Sequence, residues 1–129
     1  MPKMTQLTLS LESKPGVVAK IARTLADAGV NITGLSATDT TGRGKVRLLV
    51  SDGARAVQVL KAAKYRVTEE TAVVLSLENR PGALAGVAEK LAQAKVNIKS
   101  VYATAGEGGR VTVVLTVPNA DKALSLLGA

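Results

Sequence analysis

The chain contains the same segment twice, and this repeat limits the possible folds more than any other feature. Residues 9–32, LSLESKPGVVAKIARTLADAGVNI, align without a gap to residues 75–98, LSLENRPGALAGVAEKLAQAKVNI. Fourteen of the 24 aligned positions are identical, including the Pro-Gly pair and the regularly spaced apolar residues. A match of this length predicts one supersecondary unit built twice. We therefore expect two modules, comprising residues 1–71 and 72–129.

The size and composition of the chain limit what these modules can do. Dividing 129 residues in two gives modules near the lower size at which a domain buries an adequate core. The sequence has no Cys and no His, and its aromatic residues are Tyr65 and Tyr102. Thiolate and imidazole metal ligands, disulfides and the usual general base are thereby excluded. We expect no metal, no cofactor and no catalytic residue.

The formal net charge is +7, and the positive charge is densest in the second half of the first module. The cations in this stretch are Arg43, Lys45, Arg47, Arg55, Lys61, Lys64 and Arg66. We interpret them as a solvated face that keeps a small protein soluble. A patch that binds nucleic acid or another anion is the alternative.

The N-terminal residues lack the apolar core of a secretion signal, and no apolar run approaches the roughly 18–20 residues that span a membrane. The sequence therefore predicts a cytoplasmic location.

The first module changes from strand periodicity to helix periodicity at its Pro-Gly pair. Leucines alternate with polar residues over 5–12, which predicts a half-buried strand. Proline ends that strand and suits the first turn of a helix, and the apolar spacing that follows predicts a helix over 16–28. The remaining predicted elements are strands 30–38 and 45–50, joined as a hairpin, a helix 53–63 and a strand 65–70.

The resulting β-α-β-β-α-β order is the split arrangement of the ferredoxin-like class. The second module repeats it with strand 72–78, helix 82–94, strands 96–104 and 110–117, and helix 119–127, but has no obvious equivalent of strand 65–70. We therefore predict an α+β fold of two tandem ferredoxin-like βαββαβ modules, the second lacking an obvious final strand. An open edge on strand 72–78 would favour strand exchange or a partner chain, most simply a homodimer.

The junction between strand, Pro-Gly pair and helix is the sharpest chemical feature of each module. Gly16 and Gly82 allow a ligand to approach the backbone, and the first-turn N–H groups of the following helix have no partner within it. Such a helix start attracts a carboxylate. A tight bend without any ligand is the alternative interpretation.

Asn31 and Asn97 follow the same helix and begin the next strand. Asn at such a place commonly closes a turn, but its amide can also bind the carboxylate and ammonium groups of an α-amino acid. One helix separates each Asn from its junction. The two would meet only where one module's loop packs against the strand of another module.

These repeated segments, ESKPGVVA with LADAGVNI and ENRPGALA with LAQAKVNI, resemble the signature of the ACT domain. This domain is the small-molecule sensing module of aspartate kinases, phosphoglycerate dehydrogenases and acetohydroxyacid synthase regulatory subunits. The resemblance covers nearly the whole chain, twice. It implies side-by-side modules that bind an amino acid where the loop of one meets the Asn-bearing region of its neighbour.

Carried over to this sequence, the resemblance implies a set of ligand-contacting residues in each module. They are Lys14, Pro15, Gly16, Val17, Val18 and Asn31 in the first, and Asn79, Arg80, Pro81, Gly82, Ala83, Leu84 and Asn97 in the second. One departure from the pattern is Lys95, which replaces the glycine of the first copy, Gly29.

The function we predict is a non-catalytic regulatory protein that binds an amino acid or similar small carboxylate between modules and signals in trans to an enzyme partner. The alternatives are an RNA-binding module and a purely structural or oligomerisation module. RNA recognition by this topology stacks bases on sheet aromatics, which the predicted central strands lack. An enzyme is disfavoured, because the repeated charged pairs Glu12/Lys14 and Glu78/Arg80 are typical of solvated strand ends.

Overall fold

A computed structural model describes residues 3–128. The elements are β1 (Lys3–Glu12), α1 (Val17–Asp27), β2 (Ile32–Thr40), β3 (Arg43–Val50), α2 (Gly53–Ala62), β4 (Val67–Glu78), α3 (Ala83–Gln93), β5 (Ser100–Ala105), β6 (Arg110–Thr116) and α4 (Ala120–Leu127). The repeat predicts the same order of elements in both copies, and each copy has the order β-α-β-β-α. Within residues 3–128, no helix is long and apolar enough to cross a membrane.

The described chain forms two compact units. The first unit comprises residues 5–70, and the second comprises residues 3–4 together with 71–128. Each unit has a core of its own, because the buried apolar side chains separate into two clusters.

In the first unit, the strands lie in the order β2-β3-β1-β4. Strand β3 pairs antiparallel with both β1 and β2. The alternating leucines Leu7 and Leu9 are fully buried, and Ile21 and Leu25 of α1 pack in the same cluster with Leu60 of α2. The predicted apolar stripe of α1 is therefore confirmed as the face that covers the sheet.

In the second unit, the order is β1-β4-β6-β5, with β6 antiparallel to both β4 and β5. Its core joins Val73 and Leu75 of β4, Leu91 of α3, Leu115 of β6 and Leu124 of α4. The second copy thus buries the equivalent positions of the repeat, as expected when one sequence pattern is used twice.

The predicted strands 65–70 and 72–78 are one continuous strand, β4. The expectation of an open edge along 72–78 is wrong, because β4 lies between β1 and β6. Lys3 and Met4, at the beginning of β1, belong to the second unit, and the Lys3 ammonium forms a 2.9 Å ion pair with Asp121 of α4. The first residues of the chain therefore stand where the second module lacks a final strand of its own.

Several strand boundaries differ from the prediction. The hairpin between β2 and β3 closes in two residues, Thr41 and Gly42, both with positive φ (53° and 80°), so the strands extend further toward the turn than predicted. Such a turn matches the twist of the flanking strands. In the second unit, β5 begins at Ser100 instead of residue 96.

Candidate functional site

The two repeated helices begin differently from the other two. Helices α2 and α4 start at Asp52 and Asn119, whose side chains accept hydrogen bonds from backbone N–H groups of the first turn. Helices α1 and α3 start at Gly16 and Gly82, both with φ of 90°, and no side chain caps either helix. A Cβ atom at Gly16 or Gly82 would meet nothing within 4 Å, so the glycine is required by its left-handed backbone and not by crowding.

The backbone amides after each glycine are available to a ligand. In α1, the N–H groups of Val18 and Ala19 have no hydrogen-bond acceptor within the described chain, and the same is true of Leu84 and Ala85 in α3. All four residues are exposed. Because the partial positive charge of a helix N-terminus adds to these free donors, each junction can hold an anionic group.

A backbone hydrogen bond joins each junction to the neighbouring strand hairpin. The N–H of Ser13 donates to the carbonyl of Gly42, and the N–H of Asn79 donates to the carbonyl of Gly109, at 2.8 and 2.9 Å. In the first unit, the Ser13 hydroxyl also donates to the Asp39 carboxylate at 2.8 Å. The loop that precedes each helix is thus positioned by the strand hairpin, which fixes where the free amides point.

Cavities adjoin both junctions. In the first unit, Lys14, Gly16 and Val17 line two cavities of about 300 and 290 Å³, one on the side of Pro15 and Tyr65, the other on the side of Val18. In the second unit, Arg80, Gly82 and Ala83 line a cavity of about 770 Å³.

The asparagines lie elsewhere. Asn31 and Asn97 are exposed and line none of these cavities. Asn31 follows α1, whose 11 residues span roughly 16 Å, so within one unit it is a helix length away from Gly16. Its backbone is tied to Ser51, whose side chain accepts from the Asn31 N–H at 3.0 Å. The same separation by α3 applies to Asn97 and Gly82.

The charged residues of the junctions are solvent-exposed. Arg80 donates through Nε to the Glu78 carboxylate at 2.9 Å, with both side chains more than 60% exposed. Lys14, at the matching position, makes no ion pair within the described residues. Exposed pairs of this kind contribute little to stability, so both cations can turn toward an anionic ligand at small cost.

Exposed apolar side chains recur at matching positions of the two copies. Val18 and Leu84 are 42% and 46% exposed, and Leu35 and Val101 are 40% and 47% exposed. The first pair lies in the first turn of α1 and α3, and the second pair lies on β2 and β5, the edge strand of each unit. Sequence reasoning missed Leu35 and Val101, although their 66-residue separation places them at the same point of the repeat.

The comparisons with known proteins assign the fold to a family. The family model described as an ACT domain pair matches residues 2–127. The chain belongs to the ACT domain pair family. The predicted membership of the ACT domain family and the predicted ferredoxin-like fold are thereby confirmed. ACT domains are regulatory modules, so membership favours a regulatory, small-molecule-binding role over catalysis.

Solved structures resemble this fold over almost the whole chain. A crystal structure of a protein from Bacteroides thetaiotaomicron is 31% identical, with a TM-score of 0.90, covering 98% of this chain and 88% of that one. The ligand-free regulatory subunit of aspartate kinase from Thermus thermophilus is 18% identical, with a TM-score of 0.71 and coverages of 99% and 92%. Aspartate kinase from Synechocystis is 21% identical, with a TM-score of 0.69, covering 98% of this chain and 25% of that one. No curated protein matches the chain.

Proposed function

We propose that this ACT domain pair is a non-catalytic regulatory protein that binds an amino acid, or a similar small carboxylate, at its Pro-Gly junctions and signals to an enzyme partner in trans. The observation that carries the proposal is the contrast among the four helix starts. Only α1 and α3 begin at a glycine that leaves first-turn N–H groups free, and these are the helices that the repeat preserves. Free amides at a helix start bind carboxylates well.

The ligand would complete its contacts at a neighbouring module. Gly16 and Asn31 are a helix length apart within one unit, so one ligand cannot reach both groups of the same copy. The apolar residues Val18 and Leu35 are exposed in the first unit, as Leu84 and Val101 are in the second. Exposed apolar positions that recur in this way favour association of modules through these edges, which would bring an Asn toward a junction.

A thermal-shift screen against the twenty amino acids tests the proposal. Binding to the folded state alone raises the melting temperature, by an amount that grows with ligand concentration over Kd. We expect one chemically related group of amino acids to raise it and the remainder to leave it unchanged. If no amino acid shifts the melting temperature, the proposed ligand class is wrong.

The variant Leu84→Asp examines the junction directly. Leu84 is 46% exposed, and a carboxylate in the first turn of α3 favours the helix while repelling an anionic ligand. We expect a folded protein whose amino-acid affinity at this junction falls about tenfold or more, measured by calorimetry. The matched control is Ala54→Asp, which adds the same charge at the second residue of α2, a helix already capped by Asp52. Equal affinity in Leu84→Asp and Ala54→Asp would refute the assignment.

The RNA-binding alternative has one supporting feature, a row of cations on β3. Arg43, Lys45 and Arg47 occupy alternate positions there, and none makes an ion pair within residues 3–128. The neighbouring strands present hydroxyls beside Lys45, from Ser10 and Thr38. Strands β1 to β4 contain no aromatic residue on which bases could stack, so we place this function second.

A further inference from the structure

The cavity at the junction of the second unit is larger than either of the two cavities described at the junction of the first unit. Residues of β4 and α3 line it together with Thr112 of β6 and Leu127 of α4, and its volume is about 770 Å³. The matching place in the first unit, between the end of β1 and α1, holds only about 300 Å³. The two places correspond because their linings share aligned positions of the repeat: Leu11 and Leu77, Lys14 and Arg80, Gly16 and Gly82, Val17 and Ala83, Lys20 and Gly86.

Differences between the copies explain the larger volume. Position 20 carries a lysine that lines the first cavity, whereas the aligned position carries Gly86, and Val17 is replaced by the smaller Ala83. Tyr65 lines the first cavity and packs against the core of the first unit. No aromatic residue is among the described residues that line the second cavity.

Gly86 has no structural reason to be glycine. It lies inside α3, is exposed, has no positive φ, and a Cβ atom there would meet nothing within 4 Å. Glycine inside an exposed helix costs about 1 kcal/mol relative to alanine. The fold therefore gives up stability at a position where neither the backbone nor packing demands it. What the missing side chain provides is access to the cavity beneath.

The lining combines apolar side chains with two basic ones, Arg80 and Lys90. Leu75, Leu77, Val87 and Leu127 form the apolar part, and the last three are only half-buried. Lys90 lies one helical turn beyond Gly86, and its ammonium makes no ion pair or hydrogen bond within the described chain. No acidic residue is among the described residues of the lining.

We propose that this cavity binds a small carboxylic acid with a branched or aromatic apolar body. The body would lie on Leu77, Val87 and Leu127 where Gly86 leaves room, and the carboxylate would face Lys90. A volume of about 770 Å³ is within the range of sites for small organic ligands. The inference rests on the proposed function, because Arg80, Gly82 and Ala83 of the second junction also line this cavity, and it names the class of ligand that this junction accepts.

The test uses 3-phenylpropionate and 4-methylpentanoate, apolar acids without an α-amino group, and calorimetry with the full chain. We expect one acid molecule to bind per chain. Gly86→Gln should weaken binding about tenfold or more, because it inserts an uncharged side chain where Lys20 stands in the first copy. It should also raise the melting temperature, since glutamine favours a helix over glycine, so lost binding cannot be attributed to unfolding.

Three comparisons make the outcome decisive. Lys20→Gln, the same residue at the matched position of α1, should bind both acids as the unmodified chain does. Lys90→Gln should weaken binding of 3-phenylpropionate but not of the neutral 3-phenylpropionamide. The amino-acid thermal-shift screen is the third, because an amino acid that raises the melting temperature while neither acid binds would overturn this inference and leave the proposed function standing. Absence of saturable binding at millimolar acid, or equal binding by Gly86→Gln, would overturn the proposal.

Discussion

Single residues with a left-handed backbone end the helices of this protein. Gly29 follows α1 with φ of 74°, and its N–H donates to the carbonyl of Ala26. Lys95 takes the same place after α3, with φ of 59° and the equivalent hydrogen bond to Ala92. The second copy therefore keeps the helix ending while losing the residue best suited to it.

Lys95→Gly should stabilise the protein. A non-glycine residue in the left-handed region costs roughly 1–2 kcal/mol, which is partly offset because glycine loses more backbone entropy on folding. We expect a net gain of about 0.5–1 kcal/mol in the free energy of unfolding, measured by urea denaturation. The mirror control, Gly29→Lys, should lower it. A loss of stability in Lys95→Gly would show that the lysine side chain contributes more than its backbone strain costs.

At the scale of the element, α3 serves two purposes on two faces. One face is apolar and buries Leu91 completely, with Val87 packed against the same core. The other carries Gly82 and Gly86, which leave open the junction and the cavity. In α1 the second of these glycines is Lys20, so the two copies keep the packing face and differ on the face available to ligands.

Leu91→Ala should remove packing from the buried face of α3. Leu91 is 0% exposed, so its truncation leaves a cavity in the core of the second unit. We expect the free energy of unfolding to fall by about 2–5 kcal/mol in denaturant titrations. Leu84→Ala, which truncates a 46% exposed leucine of the same helix, should change it by less than about 0.5 kcal/mol. Similar effects of the two substitutions would mean that α3 does not cover the sheet with its Leu91 face.

At the scale of the whole molecule, two strands contribute residues to both units. Strand β4 supplies Val67 to the core of the first unit and Val73, Leu75 and Leu77 to the core of the second. Strand β1 begins with Lys3 and Met4 in the second unit and continues into the first. Two strands are thus shared, and four of the five exposed large apolar side chains among the described residues fall at two aligned positions, 18/84 and 35/101.

Those aligned positions predict self-association of the chain. We expect light scattering to give at least twice the mass of one chain, because Leu35 and Val101 lie exposed on β2 and β5. The double variant with Leu35→Glu and Val101→Glu should be monomeric, since like charges would meet where apolar side chains are expected to associate. Leu126→Glu, at a similarly exposed leucine of α4, should leave the mass unchanged. A concentration-independent monomer in the unmodified chain would contradict the expectation.

Much of the fold could be predicted because its signals are local. The Pro-Gly pairs precede α1 and α3, and the side chains of Asp52 and Asn119 cap α2 and α4. The place of Lys3 and Met4 in the second unit could not be predicted from periodicity, because the alternation of a strand does not indicate which distant strand it pairs with. For the same reason, prediction treated β4 as two strands.

Of the two candidate sites, the junction could be predicted from the sequence and the cavity of the second unit could not. The junction residues are consecutive in sequence, so the bend that brings Lys14 and Gly16 together was visible as a motif. The cavity of the second unit joins Leu77, Gly86 and Leu127, which are far apart in sequence. One local signal for it existed: Gly86 stands where the first copy has Lys20.

The boundary between the two copies falls inside β4, a strand of 12 residues, and not in a loop. A protease acting there would have to break sheet hydrogen bonds before it could cleave, and recombination could not move one copy to another gene without severing a strand. Residues 71–128 taken alone would also lose Lys3 and Met4 from their sheet. We therefore expect the two copies to be inherited together as one piece.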